Sequence, residues 1–187
     1  MAVKSVLILG HPMLWQSAQP VTRFDRSLQR VVRDMFDTMA AGRGSGLAAP
    51  QIGVASRVVV LAFDKNPAFP DCEPIPPTVL INPDYQALGD ERELAWEGCL
   101  SVPDMRGQVW RYTSIVYSAR DMRGRTIENT VNGFFARVLQ HEIDHLNGIV
   151  YCQRLASRDQ FGFVRELQAS GRMDRGGLPC EDPPADL

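Results

Sequence analysis

The chain lacks any apolar run approaching the roughly 20 residues that a membrane-spanning helix needs, so no membrane partner is expected. It also lacks a charge excess. Its 20 Lys and Arg face 22 Asp and Glu, for a formal net charge of −2, which gives no reason to expect DNA or RNA as the main partner. Cysteine is sparse: Cys72, Cys99, Cys152 and Cys180 are scattered and suggest no disulfide framework, which points to a reducing, cytoplasmic setting. No internal repeat is present. The opening "MAVKSVLILGHPML" has one lysine and a strand-length apolar stretch but no small-residue cleavage site, so it reads as a first β-strand and not as a signal peptide. No transit-peptide pattern is seen either, which favours a bacterial cytoplasm over an organelle.

What is present is the composition of an ordinary globular domain, 44% hydrophobic and 22% charged over 187 residues. Phe24, Leu28, Val31, Val32, Met35, Phe36 and Met39 recur at spacings of three and four, predicting a helix over 24–40 that ends in the glycines of "AAGRGSG". Strand-type runs follow at 57–63, 78–83, 91–98 and 107–120, the last turning back through "DMRGR" into "TIENTV" as a hairpin. Residues 66–77 read as a proline-rich surface loop. Helical patterning returns at 134–146 and near 157–169. From Ser170 the chain has too little apolar content to pack, so 1–169 is expected to be a single domain and 170–187 a flexible tail. The order of elements predicts an α+β fold, with mainly antiparallel sheets, an N-terminal helix and a C-terminal helix.

Two of the three histidines stand in "VLQHEIDHLNG", residues 138–148. On a helix, His141 and His145 lie one turn apart on the same face and can offer two imidazole nitrogens to one ion. Glu142, beside the first, is too far round to bind that ion but close enough to handle the proton of a water on it. Phe134 and Val138 share the stripe of the two histidines, which sets them at the core side of a central metal-binding helix. A catalytic centre of this kind usually takes a third protein ligand. Glu166, on the helix expected after the motif, would give a metallopeptidase arrangement. Cys99, in "EGCLSVP", would give a Cys-His-His set. The segment "GSGLAAPQIG", 44–53, adds glycines that expose main-chain groups to an extended peptide, and Gln51 as an amide donor for a carbonyl oxygen at the metal.

The three stretches together resemble peptide deformylase. That family carries Gly-x-Gly-Leu-Ala-Ala-x-Gln, Glu-Gly-Cys-Leu-Ser and Gln-His-Glu-x-x-Asp-His-Leu in this order, and here they read "GSGLAAPQ" at 44–51, "EGCLS" at 97–101 and "QHEIDHL" at 140–146. The likeness extends to "LINP" at 80–83 and to "HPMLWQSAQPV" at 11–21. The resemblance implies Cys99, His141 and His145 as ligands of one divalent metal ion, Fe(II) in the cell, with Zn(II) or Ni(II) forms also known. It implies Glu142 as the catalytic acid/base, Gln51 and the N–H of Leu100 as oxyanion donors, and Gly46 as a main-chain contact to substrate. The reaction implied is attack of a metal-bound water on the formyl group of N-terminal formyl-methionine in new bacterial-type proteins, releasing formate. N-formyl-methionyl nascent polypeptides are then the partners, and the family's association with ribosomes adds the ribosome near its exit site.

Phe134 and Val138 are expected to wall a pocket for methionine, and Ser45 and Arg106 join Gly46 on the substrate side. Arg106 matches an arginine seen in the family. Ser45 stands where many members carry valine or isoleucine, Arg43 where an acid is frequent, Trp110 where proline is, and Arg137 where some members have an apolar residue. The three arginines would make the cleft more basic unless they are solvated or paired, as surface charges usually are. Two rival readings are a metallopeptidase using Glu166 and a non-catalytic relative that binds formyl-peptides without turnover.

Overall fold

The computed structural model describes residues 2–65 and 72–173. The first helix, α1 (Arg26–Ala41), starts where the Asp25 side chain accepts hydrogen bonds from the Ser27 and Leu28 N–H groups, and it buries Leu28, Val32, Met35 and Met39. Strands β1 (Gly46–Ala48), β2 (Val58–Phe63) and β3 (Ile75–Ala87) follow. Next comes the hairpin of β4 (Arg92–Cys99) and β5 (Val102–Tyr112), then the hairpin of β6 (Ser114–Arg120) and β7 (Thr126–Asn132). The long helix α2 (Gly133–Leu146) follows, and β8 (Phe161–Phe163) and α3 (Val164–Ala169) complete the described elements. The strands form a five-stranded sheet in the order β1-β2-β3-β6-β7 and a three-stranded sheet in the order β4-β5-β8, with every ladder antiparallel.

The apolar run of β2 is explained by burial on both faces. Val58 and Val60 pack with Leu28, Val32 and Met35 of α1, whereas Val59 and Leu61 pack with Leu139, Ile143 and Leu146 of α2. Behind α2 lies the second sheet: the Gln140 side chain bonds both the N–H and the carbonyl of Tyr112 at the end of β5. Residues 136–146 are all buried, so α2 runs through the centre of the molecule. The α+β architecture around a central helix is as the sequence predicts.

Five local expectations change. The N-terminal segment is not a strand: Leu7 N–H bonds the Gln51 carbonyl and Leu9 N–H the Ser101 carbonyl, so it is held by single bonds to two turns and not by a ladder. The run 107–120 is split at Thr113 into β5 and β6, which belong to different sheets. The helix near 157–169 shrinks to α3, because Phe161–Phe163 pair with Met105–Gly107 at the open edge of β5. Of the proline-rich loop, Ile75, Pro76 and Pro77 belong to β3, and 66–71 lie outside the described residues. Of the expected tail, Ser170–Met173 close onto α3, with Met173 buried, and 174–187 lie outside the described residues.

Candidate metal centre and cleft

Cys99 ends β4 at the tight turn Leu100–Ser101, and α2 passes beneath that turn. Ligand atoms of Cys99, His141 and His145 all lie within 4.8 Å of one another, and Cys99 Sγ is 3.1 Å from His145 Nε2. The His141 ring is fixed from behind, its Nδ1 standing 2.9 Å from Glu97 Oε2, which leaves Nε2 for the centre. One thiolate and two imidazoles converging in a buried spot suit a divalent ion of the iron, nickel or zinc type. The donor set therefore fits a metal. Glu166, the other candidate third ligand, lies on α3 with its side chain 63% exposed and paired with Arg165, outside this group.

Burial works against charge on both imidazoles. The Cys99 and Glu97 side chains overcome it at His141 and hold its pKa well above the ordinary value, whereas burial and the neighbouring His141 push His145 well below it. Burial also pushes the Glu142 carboxyl up to about 7. Glu142 lies against the backbone of Gly46 in β1, where a Cβ would stand 2.5 Å from Oε1, and its Oε2 is buried with no hydrogen-bond partner among the described residues. The arrangement therefore has a carboxyl oxygen without a described partner beside the three candidate ligands.

Gln51 is oriented by its own turn. Its Oε1 accepts from the Ala48 N–H at 2.8 Å, so its Nε2 faces Cys99 Sγ at 3.5 Å and Ser101 Oγ at 3.2 Å. The N–H of Leu100 is claimed by no described residue. Ser45, Gly46, Gln51, Cys99, Leu100, Phe134, Val138, His141 and Glu142 line one cleft, together with Trp96 and Arg137. Of the residues expected on the substrate side, Arg106 is the one not brought to this cleft: it is buried behind β4, its guanidinium against the α-carbon of Gly98. Arg43 is exposed with φ of 53°, and Arg137 is buried and paired.

The sequence reading assigned no role to Glu97, Arg111 or Asp144. Glu97 accepts from Arg111 Nε and Nη2 at 2.8 and 2.9 Å and from Arg137 Nη1 at 3.0 Å. Arg111 Nη1 donates to Asp144 Oδ2 at 2.6 Å, and Asp144 also binds Arg154 through Nε and Nη2. Burial opposes ionisation of Glu97, but Arg111 prevails and holds its carboxyl well below the usual carboxylate range. The signal for Glu97 was its place two residues before Cys99 on one strand. The signal for Asp144 was its place three residues after His141 on a buried helix turn.

Antiparallel sheets enclosing a helix with two imidazoles and a carboxyl, closed by a strand-end thiol, define a metal-dependent hydrolase. A family model described as polypeptide deformylase matches residues 3–161. Peptide deformylase 2 of Ralstonia nicotianae is 49% identical over 166 residues, covering 88% of this chain and 94% of its own. Peptide deformylase 1 of Bordetella pertussis is 44% identical over 185 residues, covering 98% and 99%. A Met-Ala-Ser-bound crystal structure of class I type b peptide deformylase from Acinetobacter baumannii matches with a TM-score of 0.79 at 37% identity, covering 82% of this chain and 99% of that one. The chain belongs to the polypeptide deformylase family of metal-dependent amide hydrolases, which remove formyl groups.

Proposed function

We propose that this chain removes the formyl group from the N-terminal formyl-methionine of newly made proteins, with Cys99, His141 and His145 holding one divalent ion. The observation that carries the reading is the convergence of those three side chains beside the unpartnered oxygen of Glu142. The ion, when bound, supplies a Lewis acid that brings the pKa of a water from 15.7 toward roughly 7. Glu142 accepts the water proton as oxygen adds to the formyl carbon. It delivers that proton to the nitrogen as the C–N bond breaks, leaving formate and a free amine. Gln51 Nε2 and the Leu100 N–H donate to the formyl oxygen as it gains negative charge. The backbone of Ser45 and Gly46 meets the peptide as an added strand, and Phe134 and Val138 wall the methionine pocket. Fe(II) is the ion proposed for the cell, with Zn(II) or Ni(II) able to take its place. Nascent polypeptides near the ribosomal exit in a bacterial cytoplasm are the proposed partners, and residues 1–169 the proposed single domain. The relative crystallised with Met-Ala-Ser bound supports this choice of substrate.

The test is formate release from formyl-Met-Ala-Ser by anaerobically purified, iron-loaded protein beside Glu142→Gln. Formate from the parent and none from a Glu142→Gln protein with equal metal content is the expected result. A metal-loaded parent that binds the peptide without releasing formate would establish the binding-module reading instead. For the ligand set, Cys99→Ser should lose most of its metal and Glu166→Ala none, by metal analysis. The reverse pattern would make Glu166 the third ligand.

A further inference from the structure

The formal net charge of −2 hides an uneven distribution. Leu28, Val32, Met35 and Met39 turn one side of α1 into the core. On the opposite side Arg26, Arg30 and Arg33 follow at spacings of four and three, all exposed and on one stripe. Arg23 stands exposed just before the helix. The turn between β6 and β7 lies beside the start of α1, since a Cβ on Gly124 would stand 3.3 Å from the Phe24 ring. Arg120, Arg123 and Arg125 around that turn are exposed as well. Few acids answer them. Arg23 pairs with Asp25 at 3.4 Å and Arg125 with Asp121 at 2.6 Å. Arg26, Arg30, Arg33, Arg120 and Arg123 are in no ion pair among the described residues. Further along α1, Asp34 is held by Lys4 Nζ at 3.2 Å, and Asp37 keeps Oδ2 buried. The stripe works against the helix that carries it. Like charges at i and i+4 repel, and Arg26 stands at the N-terminal end, where the macrodipole disfavours a cation and no acid occupies the first turn. A face that only has to be wet is better served by mixed signs.

We propose that this arginine face is a docking surface for the phosphate backbone of RNA. Guanidinium forks match phosphate oxygens pairwise. Arg26 and Arg33 are about 10 Å apart along the helix axis, too far for one phosphate group and suited to successive phosphates of one strand. An anionic lipid surface fits less well, because the apolar side of α1, which would enter a bilayer interface, is turned into the core. The choice of RNA among polyanions rests on the deformylase reading above, in which nascent chains are met at a ribosome whose surface exposes RNA. Beyond Arg33, α1 runs about 12 Å further to Ala41, and Gly44 just past its end lines the cleft. RNA seated on the stripe is therefore held near the cleft from the α1 side. Recognition through phosphates is independent of base sequence and weakens steeply with salt.

The experiment follows the fluorescence anisotropy of a labelled oligo-U RNA with zinc-loaded, full-length protein at rising salt. One variant carries Arg26→Gln, Arg30→Gln and Arg33→Gln together. Its control carries Arg158→Gln, Arg165→Gln and Arg172→Gln, which removes the same charge from the segment around β8 and α3. Circular dichroism melts verify that both are folded. The parent should bind at about 50 mM salt and release the RNA as salt rises. Each phosphate contact with a single strand contributes about 0.7 to the slope of log K against log salt. The α1 variant should therefore lose about 2 from that slope and at least about tenfold in affinity, and the control should keep both. No RNA binding by the parent, or equal losses in the two variants, overturns the proposal. So does binding of the parent to phosphatidylserine-containing vesicles with none to the RNA, which would make the face a membrane contact. Formate release from formyl-Met-Ala-Ser, read on the same samples, should be equal in all three proteins. No formate from any of them would overturn the deformylase reading alone, and the anisotropy would still decide what the arginine face binds.

Discussion

Gly46 is small because Glu142 occupies the space a side chain would need, with Oε1 2.5 Å from where a Cβ would stand. Alanine there forces either the β1 backbone or the carboxyl to move, and displacements of about 1 Å at a reacting group cost on the order of 10²-fold in rate. Gly46→Ala should therefore lose most of its kcat while keeping its metal, as stopped assays of formate and metal analysis on the same sample would read. Gln51 acts differently. Its amide is already turned by the Ala48 N–H toward Cys99, so in the proposed reaction it needs no reorganisation to meet a formyl oxygen. Gln51→Ala should cost about 10²–10³ in kcat, with metal content unchanged. At this scale the sequence was informative about the side chains that converge and silent about those that hold them. His141, His145 and Glu142 follow from helical spacing alone. Glu97 did not, because its role comes from Arg111, Arg137 and His141 closing on it from β5 and α2, and no local pattern encodes that meeting.

Among the elements, α2 was the most legible, since a stripe running Phe134, Val138, His141, His145 has the helical period whatever surrounds it. The division of 107–120 at Thr113 was not legible, because both halves have strand composition and the bonds that mark the break, Tyr112 with Gln140 and Thr113 with Glu91 and Gly133, are made to distant residues. The strand β8 was hidden for the opposite reason: three residues pair with the free edge of β5 and override a helical pattern. Holding α2 to the second sheet is the chain of ions Arg154–Asp144–Arg111–Glu97, in which the Arg111, Asp144 and Glu97 side chains are each 5% exposed or less. Removing one member of a buried set leaves the rest desolvated and unpaired, a loss of about 3–5 kcal/mol. Arg111→Leu should therefore lower the urea midpoint markedly, whereas Glu93→Gln, at a side chain 62% exposed, should barely move it. Equal midpoints for the two variants would mean the network adds little to the docking of α2.

For the molecule as a whole, the proposed ligands come from parts that are otherwise joined only by packing. Cys99 arrives at the end of β4 in the three-stranded sheet, and both histidines on α2, whose opposite side packs against the five-stranded sheet. A metal there ties one sheet to the helix that covers the other, and it binds the folded state alone, because the unfolded chain separates Cys99 from His141 by some 40 residues. An ion present at about 100 times its Kd adds about 2.7 kcal/mol to stability. For a chain of this length that corresponds to roughly 5–10 °C in Tm. Chelation should lower Tm by about that amount and stoichiometric metal should restore it, read by circular dichroism under anaerobic conditions. Cys99→Ser supplies the contrast. Without the thiolate it should melt near the chelated parent and show little further response to chelator. If Cys99→Ser instead kept the parent's chelator response, the ion's stabilising hold would run through α2 alone and the link between the two sheets would not be metallic.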